Sequence, residues 1–140
     1  MKNGVRILAV EDETAVAQLL ALVLCGPECK VTTAGDGAEA LLKIDQSGPP
    51  FDIVITDHSM PHVTGLELVQ QLRARNFEGK IAVLSAHLTE KNVRAYEELH
   101  VDLLLSKPFD VDELRRAVDI LTEPTPVLAG RGVHSFSAHR

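Results

Sequence analysis

Four short apolar runs, each closed by a polar or charged residue, constrain the fold of this chain more than any other feature. Ile7-Leu8-Ala9-Val10 runs into Glu11-Asp12, and Ile53-Val54-Ile55-Thr56 into Asp57. Ile81-Ala82-Val83-Leu84 runs into Ser85, and Val101 to Leu105 into Ser106-Lys107-Pro108. Continuous apolar runs of this length, separated by helical periods, predict strands of a parallel sheet covered on both faces. In open sheets of this kind the ligand site lies at the carboxyl ends of the strands, where the strand order reverses. The closing residues therefore converge on one edge: three carboxylates, one hydroxyl and one ammonium.

The segments between the runs carry the helical period. From Glu13 to Leu24, Val16, Leu19, Leu20 and Val23 recur on one face. A second helix is expected from Asp36-Gly37 through Ile44, and it stops before Ser47-Gly48-Pro49-Pro50. A third is expected over Leu66 to Arg75, a fourth over Thr89 to Leu99 and a fifth over Asp110 to Leu121. Thr89 and Asp110 suit N-caps, and Asp110 with Glu113 spells a capping box. Lys30 to Ala34 is more polar and reads as an edge strand. Five strands alternating with five helices imply right-handed crossovers and a doubly wound α/β sandwich.

One hundred and forty residues suffice for one domain with a real core. Residues 1–123 are expected to form it. After Glu123 the periodicity stops at Pro124-Thr125-Pro126, so 124–140 is expected to be a flexible tail, either the end of a stand-alone domain or a linker to an effector domain. The net charge of −6 argues against nucleic-acid or anionic-membrane binding through the folded body. No apolar run reaches the length of a membrane span and no leader opens the chain, so a cytoplasmic location is expected. Cys25 and Cys29 are one residue too far apart for the redox C-x-x-C motif and read as two half-buried thiols.

The converging residues define a chemistry. Asp12 and Asp57, with Glu11 beside them, offer hard oxygen ligands to a small cation, and Mg²⁺ suits a sparse carboxylate set completed by water and substrate oxygens. Asp57 is the candidate nucleophile, since a carboxylate can attack phosphorus to form an aspartyl phosphate. Lys107 and the cation would neutralise the equatorial oxygens in such a transfer, and the Ser85 hydroxyl would donate to one of them. Glu13 reads as a complement to a helix dipole. His58, His62 and His87 lie around the same edge, and each reads as a solvated loop histidine rather than part of a metal-binding or phosphoryl-accepting cluster.

These residues resemble the receiver domain of two-component response regulators, of the chemotaxis-regulator kind, over nearly all of residues 5–121. The resemblance is carried by Glu11-Asp12, Asp36-Gly37-x-Glu39-Ala40-Leu41, Asp57-x-x-Met60-Pro61-x-x-x-Gly65, Ser85-Ala86 and Lys107-Pro108-Phe109 in this order. It implies a flavodoxin-like (βα)5 three-layer sandwich around a five-stranded parallel sheet. It also implies that Asp57 takes a phosphoryl group from the phosphohistidine of a histidine kinase or phosphotransfer protein. Mg²⁺ would then be held by Asp12, Asp57 and the Ser59 carbonyl, with Glu11 helping through water, while Ser85 and Lys107 contact the phosphate. Such a domain catalyses only its own phosphorylation and dephosphorylation, and it presents a changed surface to a downstream effector protein or a second copy of itself.

Three positions depart from the family pattern. Leu104 stands where the family usually carries Tyr or Phe as a rotameric switch. His100-Val101 replaces the usual Gly-Ala, and Ser85 replaces the commoner threonine. Together they predict an output surface around the fourth helix and fifth strand that differs from the standard one, and Leu104 in particular predicts a readout through the Ala86 to Lys91 segment into the fourth helix. Three other readings fit these residues less well. A flavin module needs a Ser/Thr/Gly-rich phosphate loop where Glu11-Asp12-Glu13 stands. A haloacid-dehalogenase-type phosphatase needs its aspartate pair after the first strand. A degenerate receiver acting only as a protein-interaction module needs a gap in the site, and every site position is filled.

Overall fold

Each predicted run and period becomes one element, with bounds that differ from expectation by one or two residues. The structure is a computed structural model that describes residues 4–24, 29–60, 62–122 and, for the backbone alone, 134–136. The strands are β1 (Val5–Val10), β2 (Cys29–Ala34), β3 (Ile53–Asp57), β4 (Lys80–Ser85), β5 (Leu103–Ser106) and β6 (His134–Phe136). The helices are α1 (Thr14–Leu24), α2 (Gly37–Gln46), α3 (Gly65–Ala74), α4 (Glu90–Glu98) and α5 (Val111–Thr122).

The sheet is parallel throughout, in the order β2-β1-β3-β4-β5-β6. Its first five strands are the expected doubly wound sheet. The short β6 is an addition, pairing Leu103 with His134 and Leu105 with Phe136. It falls within 124–140, where a tail without regular structure was expected. The rest of that segment, like Cys25, lies outside the described residues. Strand order reverses between β1 and β3, so a crevice opens there at the carboxyl edge.

Alternation along each strand divides the core in two. Ile7, Ala9, Ile53, Ile55, Leu103 and Leu105 point toward α1 and α5 and pack with Leu20, Leu114 and Leu121. Leu8, Val10, Val54, Val83 and Leu104 point toward α2, α3 and α4 and pack with Ala40, Leu68, Leu72 and Tyr96. Successive side chains project to opposite faces, so burial on both sides demands the unbroken apolar runs seen in the sequence.

Helix starts follow local chemistry. Asp36, Thr64 and Thr89 accept from the backbone N–H three residues on, and Thr64 and Glu67 complete a reciprocal box. Asp110 and Glu113 form the box expected of them, at 2.7 and 3.0 Å. Gly65 starts α3 because no other residue fits: a Cβ there would lie 2.4 Å from the Asp57 carbonyl oxygen. At the exit of α4 the left-handed turn survives without a glycine, since His100 itself adopts a φ of 60°. Its N–H donates to the Glu97 carbonyl at 3.0 Å, closing the helix end.

Candidate functional site

Two adjacent strands, β1 and β3, end in the residues that define the site. Glu11 follows β1 with its backbone N–H donated to the carbonyl of Ala34, the last residue of β2, at 3.0 Å. Its carboxyl is 1% exposed, while Asp12 faces solvent and Asp57, the last residue of β3, is 6% exposed. Carboxylate oxygens of Glu11, Asp12 and Asp57 all lie within 4.8 Å of one another. Three acids this close, two of them buried, require a countercharge.

Lys107 supplies one. It leaves β5 with its N–H donated to the Ser85 carbonyl, and its Nζ reaches across to Asp57 Oδ1 at 2.8 Å and Glu11 Oε1 at 3.3 Å. Burial alone would lower the lysine pKa, but the Asp57 hydrogen bond and the charges of Asp57 and Glu11 outweigh it and hold the ammonium above its usual range. Glu11 moves upward because desolvation, joined by the Asp57 charge, exceeds the help it receives from the Glu13 N–H and Lys107. One ammonium, shared by Asp57 and Glu11, among three carboxylates leaves the cluster net negative. The oxygens, hard and closely spaced, fit a small divalent cation such as Mg²⁺.

Ser85 ends β4 at the same edge, with Asp57 paired to the preceding Leu84. Its hydroxyl turns into its own loop, donating to the His87 carbonyl at 3.0 Å and accepting the His87 N–H at 3.1 Å. Ser59 stands two residues past Asp57 with its side chain exposed. The edge thus collects Glu11, Asp12, Asp57 and Lys107 directly, while Ser85 arrives with its hydroxyl committed elsewhere.

The solvated reading of the histidines fails at His58. His62 and His87 are exposed, but His58 is partly buried, and its Nδ1 shares a 2.5 Å hydrogen bond with the hydroxyl of Tyr96 on α4. The two rings meet edge to face at a centroid distance of 5.6 Å. Desolvation lowers the imidazole pKa, against a smaller opposing effect of the Asp57 charge. Burial, then the same charge, raises the phenol pKa well above its ordinary value. Sequence reasoning missed this pair. The available signal was that Tyr96 is the chain's only tyrosine and occupies an apolar position of its helix. Arg73 was missed as well: its guanidinium donates to the Leu99 and His100 carbonyls at 2.7 and 2.8 Å and ties the end of α4 to α3.

The response regulator receiver domain family matches residues 7–119, and this chain belongs to that family. It is 33% identical over 125 residues to the transcriptional regulatory protein TcrA of Mycobacterium tuberculosis, a match covering 89% of this chain and 49% of that protein. It is 32% identical over 124 residues to the alkaline phosphatase synthesis transcriptional regulatory protein PhoP of Bacillus subtilis, covering 89% and 51%. The chain therefore spans about half the length of these relatives. Among solved structures, the receiver domain of the Francisella response regulator 1452 superposes with a TM-score of 0.73 at 31% identity, covering 83% of this chain and 94% of that one. Chemotaxis protein CheY4 of Vibrio cholerae superposes with a TM-score of 0.76 at 28% identity, covering 84% and 98%. The chain is a response regulator receiver domain, a signalling module of two-component systems. Among the described residues no helix is long and apolar enough to cross a membrane.

Proposed function

We propose that Asp57 accepts a phosphoryl group from the phosphohistidine of a histidine kinase or phosphotransfer protein in the cytoplasm, and that the domain then signals to a downstream effector. The observation that carries this reading is the Lys107 ammonium held at once by Asp57 and Glu11 inside a three-carboxylate cluster. In the transfer, an Asp57 oxygen forms the new O–P bond as the P–N bond breaks, and the imidazole leaves with the electron pair. Lys107 lies within contact of Asp57 and can follow the charge onto the phosphoryl oxygens. Ser85 joins them only by exchanging the His87 carbonyl for a phosphoryl oxygen. Mg²⁺, when bound, supplies further neutralisation of the transferred group. Asp12 and Asp57 would hold it, with the Ser59 carbonyl, and Glu11 would act through water.

Incubation with acetyl phosphate and Mg²⁺ should add one phosphoryl group per chain, and Asp57→Asn should abolish it. Undiminished labelling of that variant, or labelling in excess EDTA, would overturn the assignment.

A further inference from the structure

The geometry points to Tyr96 as a coupling residue on helix α4, which links that helix to Asp57 through His58. This rests on the reading of Asp57 as the phosphoacceptor and concerns how its state reaches the surface. The usual route is closed, because position 104 holds a leucine with no polar tip. Leu104 is buried on the same face of the sheet as Tyr96, beside a cavity of about 230 Å³ that Ser85, His87, Leu88 and Val93 also line. Nothing at Leu104 distinguishes an inward from an outward placement by a hydrogen bond.

Tyr96 has what Leu104 lacks. It is fully buried, and a buried phenol requires a polar partner. That partner is the residue next to Asp57. The backbone of His58 is pinned on both sides, its N–H donated to the Leu84 carbonyl at 2.8 Å and its carbonyl accepting the Gly65 N–H at 2.9 Å. Its ring is left to face α4, where it meets two side chains one turn apart. Tyr96 engages Nδ1 at 2.5 Å, and the Asn92 amide lies 3.4 Å from Nε2.

The rest of α4 is fastened unevenly. Its C-terminal end is clasped by Arg73, and of its described residues Tyr96 alone is fully buried. A phosphoryl group at Asp57 adds charge beside a partly buried hydrogen bond, where screening by solvent is reduced and such bonds respond to it. A change in the His58 contacts is therefore felt by both Asn92 and Tyr96. The N-terminal half of α4 pivots about its clasped end, carrying the adjoining 86–91 loop with it. Tyr96 thus supplies from the helix side an aromatic reporter that β5 does not.

Tyr96 is the only tyrosine and the chain has no tryptophan, so intrinsic emission reads this one side chain. In the full-length chain with Mg²⁺, beryllofluoride should change tyrosine emission in step with site occupancy, and Asp57→Asn should show no change. Constant emission in a chain that takes up one phosphoryl group from acetyl phosphate would overturn the coupling, and this arm needs no variant at Tyr96. Tyr96→Phe keeps the ring and deletes the hydroxyl. It should be phosphorylated to the wild-type extent while the amide-exchange response of residues 90–98 to beryllofluoride falls about fivefold, the scale of one hydrogen bond. His58→Phe removes the Asn92 contact as well and should lose at least as much, and adding Tyr96→Phe to it should lower the response no further. A wild-type α4 response in Tyr96→Phe would refute the proposal. A wild-type chain that takes up no phosphoryl group would instead refute the functional reading, and the coupling with it.

Discussion

Helices α3 and α4 cover the same face of the sheet, but they are anchored by different means. Helix α3 begins on a reciprocal capping box, packs Gly65 against the Asp57 carbonyl and buries Leu68, Val69 and Leu72. Helix α4 begins on a simple Thr89 cap and fully buries only Tyr96, whose polar end is tied to His58. Each fully buried aliphatic side chain contributes about 1.5–3 kcal/mol. By that measure α3 belongs to the framework, whereas α4 is held mainly by one aromatic ring, one internal hydrogen bond and the Arg73 clasp. Segments that respond to a signal are drawn from the weakly held end of a fold. The difference marks α4 as the less firmly held of the two helices.

The largest effect should come from breaking the better anchor. Leu68→Ala removes a fully buried side chain and should lower the unfolding free energy by about 2–5 kcal/mol, read from denaturant midpoints. A loss under about 1 kcal/mol would mean that α3 is no better held than α4. Native-state amide exchange compares the two helices directly. Amides in the middle of α4 should open with a free energy at least about 2 kcal/mol below those of α3, which should exchange only with global unfolding. Equal protection would erase the distinction.

A smaller effect sits at the two helix exits. His100, after α4, and Asn76, after α3, adopt φ values of 60° and 59°. Asparagine tolerates this region and histidine less so, hence His100→Gly should gain about 0.5–1 kcal/mol in stability and Asn76→Gly about zero. Thermal midpoints of the two variants decide it, and equal gains would show that the strain is not specific to the α4 exit.

The smallest effect belongs to α2, the third helix on this face. Glu39 accepts the Gly35 N–H at 2.7 Å and faces Lys43 at 3.1 Å, and the Gly35 bond first, then Lys43, lowers its pKa. A carboxyl depressed in the folded state contributes stability above its unfolded pKa and loses it as pH falls through the folded value. Glu39→Gln should therefore be less stable than wild type near neutral pH, with the gap closing in acid. Exposure to solvent keeps that gap under about 0.5 kcal/mol. Denaturant titrations at both pH values would detect a gap that widens in acid, which would reverse the assignment.

The first five strands, the two-sided burial of β3, β4 and β5 and the emergence of Glu11, Asp12, Asp57, Ser85 and Lys107 at one edge were legible in the chain, whereas β6 was not. Unbroken apolar runs can be accommodated only by a sheet covered on both sides, and the residue after each run must then emerge at the carboxyl edge. The capping box of Asp110 and Glu113 was legible for a similar reason, since its partners are three residues apart. The left-handed turn at His100 was not, because no local preference for histidine announces it. There the turn is closed by backbone hydrogen bonding at the helix end and by the Arg73 bond to the His100 carbonyl.

His58 shows most clearly where reading the chain ends. Next to Asp57 and in a loop, it has the sequence context of a solvated side chain. Its partner is 38 residues away on another helix. That contact depends on the face of the sheet to which α4 docks and on the rotation that turns Tyr96 inward. The same holds for the Ser85 hydroxyl, whose identity suits a phosphate contact but whose hydrogen bonds are set by the path of the following loop. Periodicity and strand-end chemistry act over a few residues and are written locally. Which side chains meet across the layers is decided only when helices dock on the sheet, because burial rewards the docking as a whole and hydrogen bonds must then be made among whatever polar groups it brings together.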